Sequence, residues 1–475
     1  MILKRNPVPV LLSLTVVMLW LACAPANKAL VWKSASTPWA AMEKLRKQIK
    51  PPVFKTRDFP VTAYGAIGDG KTKNTEAFKK AIEACSKAGG GTVSVPPGTF
   101  LTGAIYLKSD VNLHMADDAR ILFSRDPNDY PIVFTRWEGM ECMNYSALIY
   151  AYGEKNIAIT GNGVLDGNAD GDNWWNWNSK AANGGPAKQV AARNKLHELM
   201  HQQTEPKTRV FGNGSFLRPN MVQPYNCKNV LISGVKMVNS PMWFMNPVLC
   251  ENVTIEKVRV VSHGPNNDGC DPESCRNVLI KDCHFDTGDD CIAIKSGRDE
   301  DGRRIGRPAE NHIIEGCEMK DGHGGVTIGS EIAGGARNIY AINCVMDSPN
   351  LDRILRLKTS SSRGGIIENI FMKDIKVGAY KDAAVSADMF YETPGSFIPT
   401  IRNVWVENLE VTKGGGYGIY VRAYRASPVQ HLRIINSTLN GVKIPYKIDY
   451  ATDLVFENVK INGAVVNVPD TLKKK

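Results

Sequence analysis

The chain has 475 residues, 43% apolar and 22% charged, which is ordinary globular composition and too rich in apolar residues for a disordered chain. That length suits one large domain or two to three smaller ones. A formal net charge of +10, with pI near 8.9, favours an acidic partner. It does not choose among nucleic acid, anionic lipid and acidic polysaccharide.

The first segment, "MILKRNPVPVLLSLTVVMLWLACAPA", places Lys4 and Arg5 ahead of an apolar run from Val8 to Ala22, then small residues. This is the pattern of a secretory signal peptide. Cleavage would follow Ala24, or fall before Cys23 as in a lipoprotein, with Cys23 then carrying a lipid anchor. "WLAC" is an imperfect lipobox, because Trp20 sits where Leu is usual. The expected layout is a leader over 1–24, a linker over 25–50 and one folded domain over 51–475. The expected location is secreted or periplasmic, or the outer membrane if Cys23 is acylated. No other apolar run is long enough to span a bilayer.

"GAIGDGKT", Gly65 to Thr72, fits the phosphate-loop pattern of Gly, four residues and Gly-Lys-Thr. A nucleotide site would also need parallel strands alternating with helices, and the rest of the chain lacks them. Gly65, Gly68 and Gly70 therefore read as turn residues and Lys71 as solvated, with no nucleotide bound. "TEAFKKAIEACSKAG" reads as one amphipathic helix, with Phe78, Ile82 and Cys85 on one face. Thr75 is its expected N-cap and Gly89 its stop.

Then comes a repeat. "NIAI" at Asn156 is followed by "NVLI" at Asn229, "NVTI" at Asn252, "NVLI" at Asn277, "NHII" at Asn311 and "NIYA" at Asn338. "NIFM" at Asn369, "NVWV" at Asn403, "HLRI" at His431 and "NVKI" at Asn458 complete it. From Asn229 the steps are 23, 25, 34, 27, 31, 34, 28 and 27 residues. Short β-rich runs at this spacing, with no helices between them, predict an all-β fold: a coil wound into a parallel β-helix. A β-propeller would need about 40 or more residues per blade. The helix after Asn74 would cap the open N-terminal edge. Of 11 cysteines, several fall in the repeats; inert core residues are expected, with room for one or two disulfides.

The chemistry concentrates in one window. "GPNNDGCD" carries Asp268, "DTGDDCIAIKSG" carries Asp289 and Asp290, "KDGHGGVTIGSE" carries His323, and "DRILRLKT" carries Arg356 and Lys358. Each step between them is about one coil, so stacking would align them along one face. Three carboxylates in one cleft repel, so one should keep its proton near neutral pH. A neutral acid beside an ionised base is what glycoside hydrolysis requires.

In this order the motifs resemble glycoside hydrolase family 28, the polygalacturonases and their relatives. The family's Asn-Thr-Asp, Gly-Asp-Asp, Gly-His-Gly and Arg-Ile-Lys read here Asn266-Asn267-Asp268, Gly288-Asp289-Asp290, Gly322-His323-Gly324 and Arg356-Leu357-Lys358. Asn267 and Leu357 depart from the pattern between the motif residues. The likeness runs from about Phe54 to Val468 and implies a right-handed parallel β-helix and inverting hydrolysis. It makes Asp289 the general acid, Asp268 and Asp290 the groups that hold and deprotonate water, and His323 the partner of the acid. Asn266, Arg356 and Lys358 would bind the substrate, the two cations through the uronate carboxylate. Acid and base should then stand about 6.5–9.5 Å apart. The implied partner is a galacturonan, neither nucleic acid nor nucleotide, and the reading calls for no metal, no cofactor and a monomer.

"GRDEDGRRIGRPAEN", Gly297 to Asn311, resembles the insertion of bacterial exo-acting members. Arg298, Arg303, Arg304 and Arg307 would either grip a chain end or pair with Asp299, Glu300 and Asp301 in a solvated loop. Tyr391 either touches substrate or is a buried aromatic. Trp174, Trp175 and Trp177, in an insertion over 170–217, either form a sugar platform or pack that loop. His263 reads as structural. The remaining alternatives are a galacturonidase of rhamnogalacturonan fragments, a pectate lyase and a non-catalytic polysaccharide-binding β-helix.

Overall fold

A computed structural model describes residues 38–179 and 186–468. The leader with Cys23 and the C-terminal "LKKK" lie outside them.

The repeat is a corner. Asn156, Asn229, Asn252, Asn277, Asn311, Asn338, Asn369, Asn403 and Asn458 all have φ between 52° and 62°, and His431 stands at 55°. Asn tolerates this left-handed backbone better than most side-chain-bearing residues, so every copy turns at the same point. The corner amides also stack. Asn252 Nδ2 donates to Asn229 Oδ1 at 2.8 Å, Asn338 to Asn311 at 3.0 Å and Asn403 to Asn369 at 3.0 Å.

After each corner the chain runs through three short strands. One coil contributes Arg276–Lys281, His284–Thr287 and Ile292–Ile294; the next contributes Ala309–Glu315, Glu318–Met319 and Val326–Ile328. The two sets pair in parallel, strand on strand. Repeated along the chain, this is the parallel β-helix, wound right-handed as parallel crossovers are. Alternate residues face inward, so Val253, Ile255, Val278 and Ile280 are fully buried in one continuous core. The ten described cysteines are all free and buried. Several sit coil over coil, with the Cys227 amide 3.4 Å from Cys250 Sγ. None is paired, because small buried thiols already fill the stack.

Helix α1 (Pro38–Arg46) lies where a linker was expected. Met42, Leu45 and Ile49 pack outside the barrel on Ile313, Tyr340, Ile342 and Phe371. Helix α2 (Thr75–Lys87) covers the N-terminal end, burying Phe78, Ile82 and Cys85. Its N-cap position is Asn74 and not Thr75. Asn74 Oδ1 accepts from the Ile67 amide, while Thr75 Oγ1 accepts from Gly103. In the phosphate-loop look-alike, Asp69 Oδ1 accepts from the amides of Lys71 and Thr72, the groups a phosphate would need. Lys71 is exposed.

Six strands form the face that carries the site: Ile292–Ile294, Val326–Ile328, Arg353–Lys358, Ala383–Asp388, Tyr417–Arg422 and Ile444–Asp449, in that spatial order. Over the coils before them lies an antiparallel hairpin, Ile132–Trp137 with Met140–Tyr145. Thr135 and Gln223 hydrogen-bond, and Gln223 also donates to the Arg136 carbonyl at 3.2 Å. Helices α3 (Val190–His201) and α4 (Asp299–Ile305) brace this hairpin from outside.

Candidate active site

Neighbouring parallel strands stand about 4.8 Å apart, so turns on successive coils become neighbours. Asp268 sits in the turn after Arg259–Ser262, Asp289 and Asp290 in the turn after His284–Thr287, and His323 in the turn before Val326–Ile328. One oxygen from each of Asp268, Asp289 and Asp290 lies within 4.8 Å of the others. Asp268 and the Asp289–Asp290 pair sit on neighbouring coils, and the coil rise brings their carboxylates together.

The carboxylates are held differently. Asp290 is fully buried, and Thr327 Oγ1 and Arg356 reach its Oδ1 at 3.0 and 3.1 Å while Lys358 reaches Oδ2 at 2.7 Å. Burial opposes its charge, but Lys358, Arg356 and Lys295 outweigh that cost and hold its carboxyl far below the usual range. Asp268 is 3% exposed, and its Oδ1 has no hydrogen-bond partner. Burial, reinforced by the charges of Asp271 and Asp289, pushes its carboxyl well above the usual range. Asp289 Oδ1 meets His323 Nδ1 at 2.9 Å, and that bond raises the imidazole pKa. The cluster therefore separates an ionised group, Asp290, from a proton-holding one, Asp268.

Asn267, the first departure from the family motif, fixes the loop that bears Asp268. It accepts from Ser262 and the Gly264 amide and donates to the carbonyls of Ser240 and Met242. Asn266 accepts from Arg218 at 2.7 Å and from Asn178 at 2.9 Å, so the 170–217 insertion and the residue after it hold it. Tyr391 faces the cations: Arg356 stands 5.5 Å and Lys358 5.1 Å from its ring centre.

Arg304 pairs with Glu141 at 2.5 Å and Asp301 at 3.4 Å, locking α4 to the hairpin. Arg303 pairs with Glu300 at 2.9 Å and lies 3.8 Å over Phe397, lining a cavity of about 620 Å³ with Arg298, Arg363 and Glu392. The Gly297–Asn311 segment thus carries a short helix, Asp299–Ile305, that builds a wall, and Arg304 is turned to that task. Trp174 is fully buried against Tyr130, Tyr145 and Trp177, and the Trp175 indole donates to the Ser240 carbonyl at 2.8 Å. Trp174 and Trp177 pack the insertion, while Trp175 keeps part of its ring exposed. His263 bonds Asp286 at 2.9 Å.

Sequence reading missed the second layer. Lys295, 3% exposed, stands 3.1 Å from Glu331 and 3.5 Å from Asp271, directly behind the carboxylates. Both Asp271 and Lys295 lie in the quoted motifs; a lone charge in an apolar run, as in "CIAIKSG", was the available signal.

The profile of glycosyl hydrolases family 28 matches residues 211–455, and that of rhamnogalacturonase A/epimerase, pectate lyase-like, matches residues 59–114. A probable polygalacturonase of Vitis vinifera is 30% identical over 330 residues, 67% of this chain and 60% of that protein's length. An exo-poly-alpha-D-galacturonosidase of Dickeya chrysanthemi is 28% identical over 441 residues, 85% of this chain and 70% of its own. The solved structure of a hyperthermoactive exopolygalacturonase from Thermotoga maritima is 44% identical with a TM-score of 0.87, over 90% of this chain and 97% of that one.

Proposed function

The chain belongs to glycosyl hydrolases family 28, and we propose from that premise that it hydrolyses α-1,4-linked galacturonic acid in pectin, acting from a chain end. The observation that carries this reading is the trio Asp268, Asp289 and Asp290 beside Arg356 and Lys358, with oxygens within 4.8 Å.

Asp289, hydrogen-bonded to His323, protonates the glycosidic oxygen as the bond breaks. Asp290 stays ionised, holds the attacking water and takes its proton, while Asp268, which keeps its own proton, holds that water from the neighbouring coil. Arg356 and Lys358 hold the uronate carboxylate. The short spacing alone would suit a nucleophilic carboxylate. Asp290, however, already accepts from Thr327, Arg356 and Lys358, which leaves it poorly placed to attack carbon. Single displacement with inversion is therefore the reading, and proton NMR of the first product checks it: the β anomer is expected, and the α anomer would require a covalent intermediate.

End-wise action rests on the wall. The hairpin Ile132–Tyr145, held by α4, covers the coils on one side of the carboxylates. Defined oligogalacturonides should therefore yield one small product from the first turnover. A spread of sizes would mean internal cleavage, and unsaturated products absorbing in the ultraviolet would mean a lyase. The same reading carries export through the 1–24 leader, with Cys23 as the position of a lipid anchor, and action as a monomer. Activity in medium, periplasm or membrane fractions, and sedimentation of the purified chain, check these points.

A further inference from the structure

The catalytic cations are not the only charges on their face of the barrel. Register brings Asp271, Ala293, Thr327 and Arg356 into one row, and Glu273, Lys295, Gly329 and Lys358 into the next. Side chains alternate, so both rows point away from the core that Cys270, Ile292 and Ile294 fill. Lys295 is therefore a third cation on the face of Arg356 and Lys358, one coil earlier. It is 3% exposed and held from several sides. Its ammonium stands 3.1 Å from Glu331 and 3.5 Å from Asp271, donates to the Gly329 carbonyl at 3.5 Å and lies 4.6 Å from the Trp243 ring centre.

Asp268 and Asp271 lie three residues apart in one buried turn. Two carboxylates so placed cannot both ionise cheaply, so the pair keeps at least one proton. Its position follows from the neighbours. Asp271 has an ion pair with Lys295, whereas Asp268 makes none among the described residues. The groups that face Asp268 are Asp271, Asp289, Asp290, Lys295 and Arg218. Those that face Lys295 are Glu331, Asp271, Asp268, Asp290, Glu273 and Lys358. Burial raises the pKa of both carboxyls, and Asp271 raises that of Asp268 further. Lys295 and Asp268 both ease the charge on Asp271. The arrangement thus puts the negative charge on Asp271 and the proton on Asp268.

We propose that Lys295 and Asp271 are positioning residues: the ammonium keeps Asp271 ionised, and that charge in turn keeps on Asp268 the proton with which it holds the attacking water. The proposal rests on the hydrolase reading above for the use of that proton, but not for its place.

Infrared spectra of the protein without substrate read the proton directly, through the carbonyl stretch of a neutral carboxyl. At pH 7 the wild type should show such a band that Asp268→Asn lacks. In Asp271→Asn this band should titrate out at a pH lower by about one unit, a tenfold loss of proton affinity. In the Asp271→Asn/Lys295→Met double variant the midpoint should return toward that of wild type, because the cation that draws the proton off is gone as well. Asp271→Asn keeps the shape of the side chain, and the double variant replaces an ion pair by neutral groups while Glu331 keeps Arg298, so both should fold. On oligogalacturonides at pH 8, Asp271→Asn should lose about tenfold in kcat with KM changed less than about twofold, and the double variant should recover most of that loss. No band difference between wild type and Asp268→Asn, an unmoved midpoint in Asp271→Asn, or losses that simply add in the double variant would overturn the proposal. Midpoints that move as stated in a protein that cleaves no galacturonan would support the proton's place and sink the hydrolase reading.

Discussion

Lys358 Nζ lies 2.7 Å from Asp290 Oδ2, although 68 residues separate them in the chain. Both are buried, so each is the condition for the other's charge. The pair joins the part of the site that holds water to the part that holds the uronate. Losing either partner should therefore damage fold and activity together.

Lys358→Met should cost about 3 kcal/mol of stability, because the buried carboxylate loses its nearest cation and keeps only Arg356 and Lys295. Asp290 is held below its ordinary value of about 3.9. The pair's contribution is therefore present above that pH and lost as acid protonates Asp290 in the folded state. Urea titrations should show wild type ahead of the variant at pH 5–8, with the gap closing in strong acid. Equal stabilities at pH 7 would contradict the pairing.

Asp289→Asn should lower kcat by about 10³, within the usual yield of general acid catalysis, while the circular dichroism spectrum stays that of wild type. Release of reducing sugar measures the loss. A variant retaining a tenth of the activity would remove Asp289 from the acid's role.

His323 should set the alkaline limb of the pH profile. Its bond to Asp289 raises its pKa, so the imidazolium persists above about pH 6.5, and its support of Asp289 fades as pH rises through the folded value. In His323→Gln this limb should disappear or move. An unchanged limb would assign it to another group.

Trp174→Ala should destabilise the protein by about 3–5 kcal/mol as a buried ring is deleted. KM measured below the melting range should change little. A large rise in KM with unchanged melting would restore the sugar-platform reading.

Asp301→Ala should weaken the wall. Asp301 accepts from the Glu141 amide at 2.8 Å and from Arg209 at 2.7 Å, pinning the hairpin. With the pin gone, chromatography of digested pectate should show several oligomer sizes where wild type gives one. A single product from a folded Asp301→Ala enzyme would mean that the hairpin does not enforce end-wise action.

The sequence disclosed the coils and the carboxylates for one reason. The Asn corners recur once per coil, and the motif residues recur at nearly the same spacing, so a one-dimensional count gave a three-dimensional neighbourhood. The wall was hidden. Strands Ile132–Trp137 and Met140–Tyr145 are short runs of the same length as coil strands, and the tight turn at Glu138 and Gly139, with φ of 44° and 81°, folds them back. Asp271 and Lys295 were hidden differently. The lone charge of Lys295 in an apolar run was visible, but nothing in one coil's own pattern tells which group on the next coil will meet it. The contacts of the arginines in Gly297–Asn311 were only half legible: Glu300 and Asp301 lie in the same segment, but loop composition cannot point to Glu141, 163 residues from Arg304.

Helix α1 precedes every coil in the chain, yet Ile313, Tyr340 and Phe371 must be in place before it has anything to dock on. It is synthesised first and seated last. Stacking can spread from coil to coil without it, so the clasp closes only over a barrel already assembled past its middle, and its seating reports that assembly has come that far.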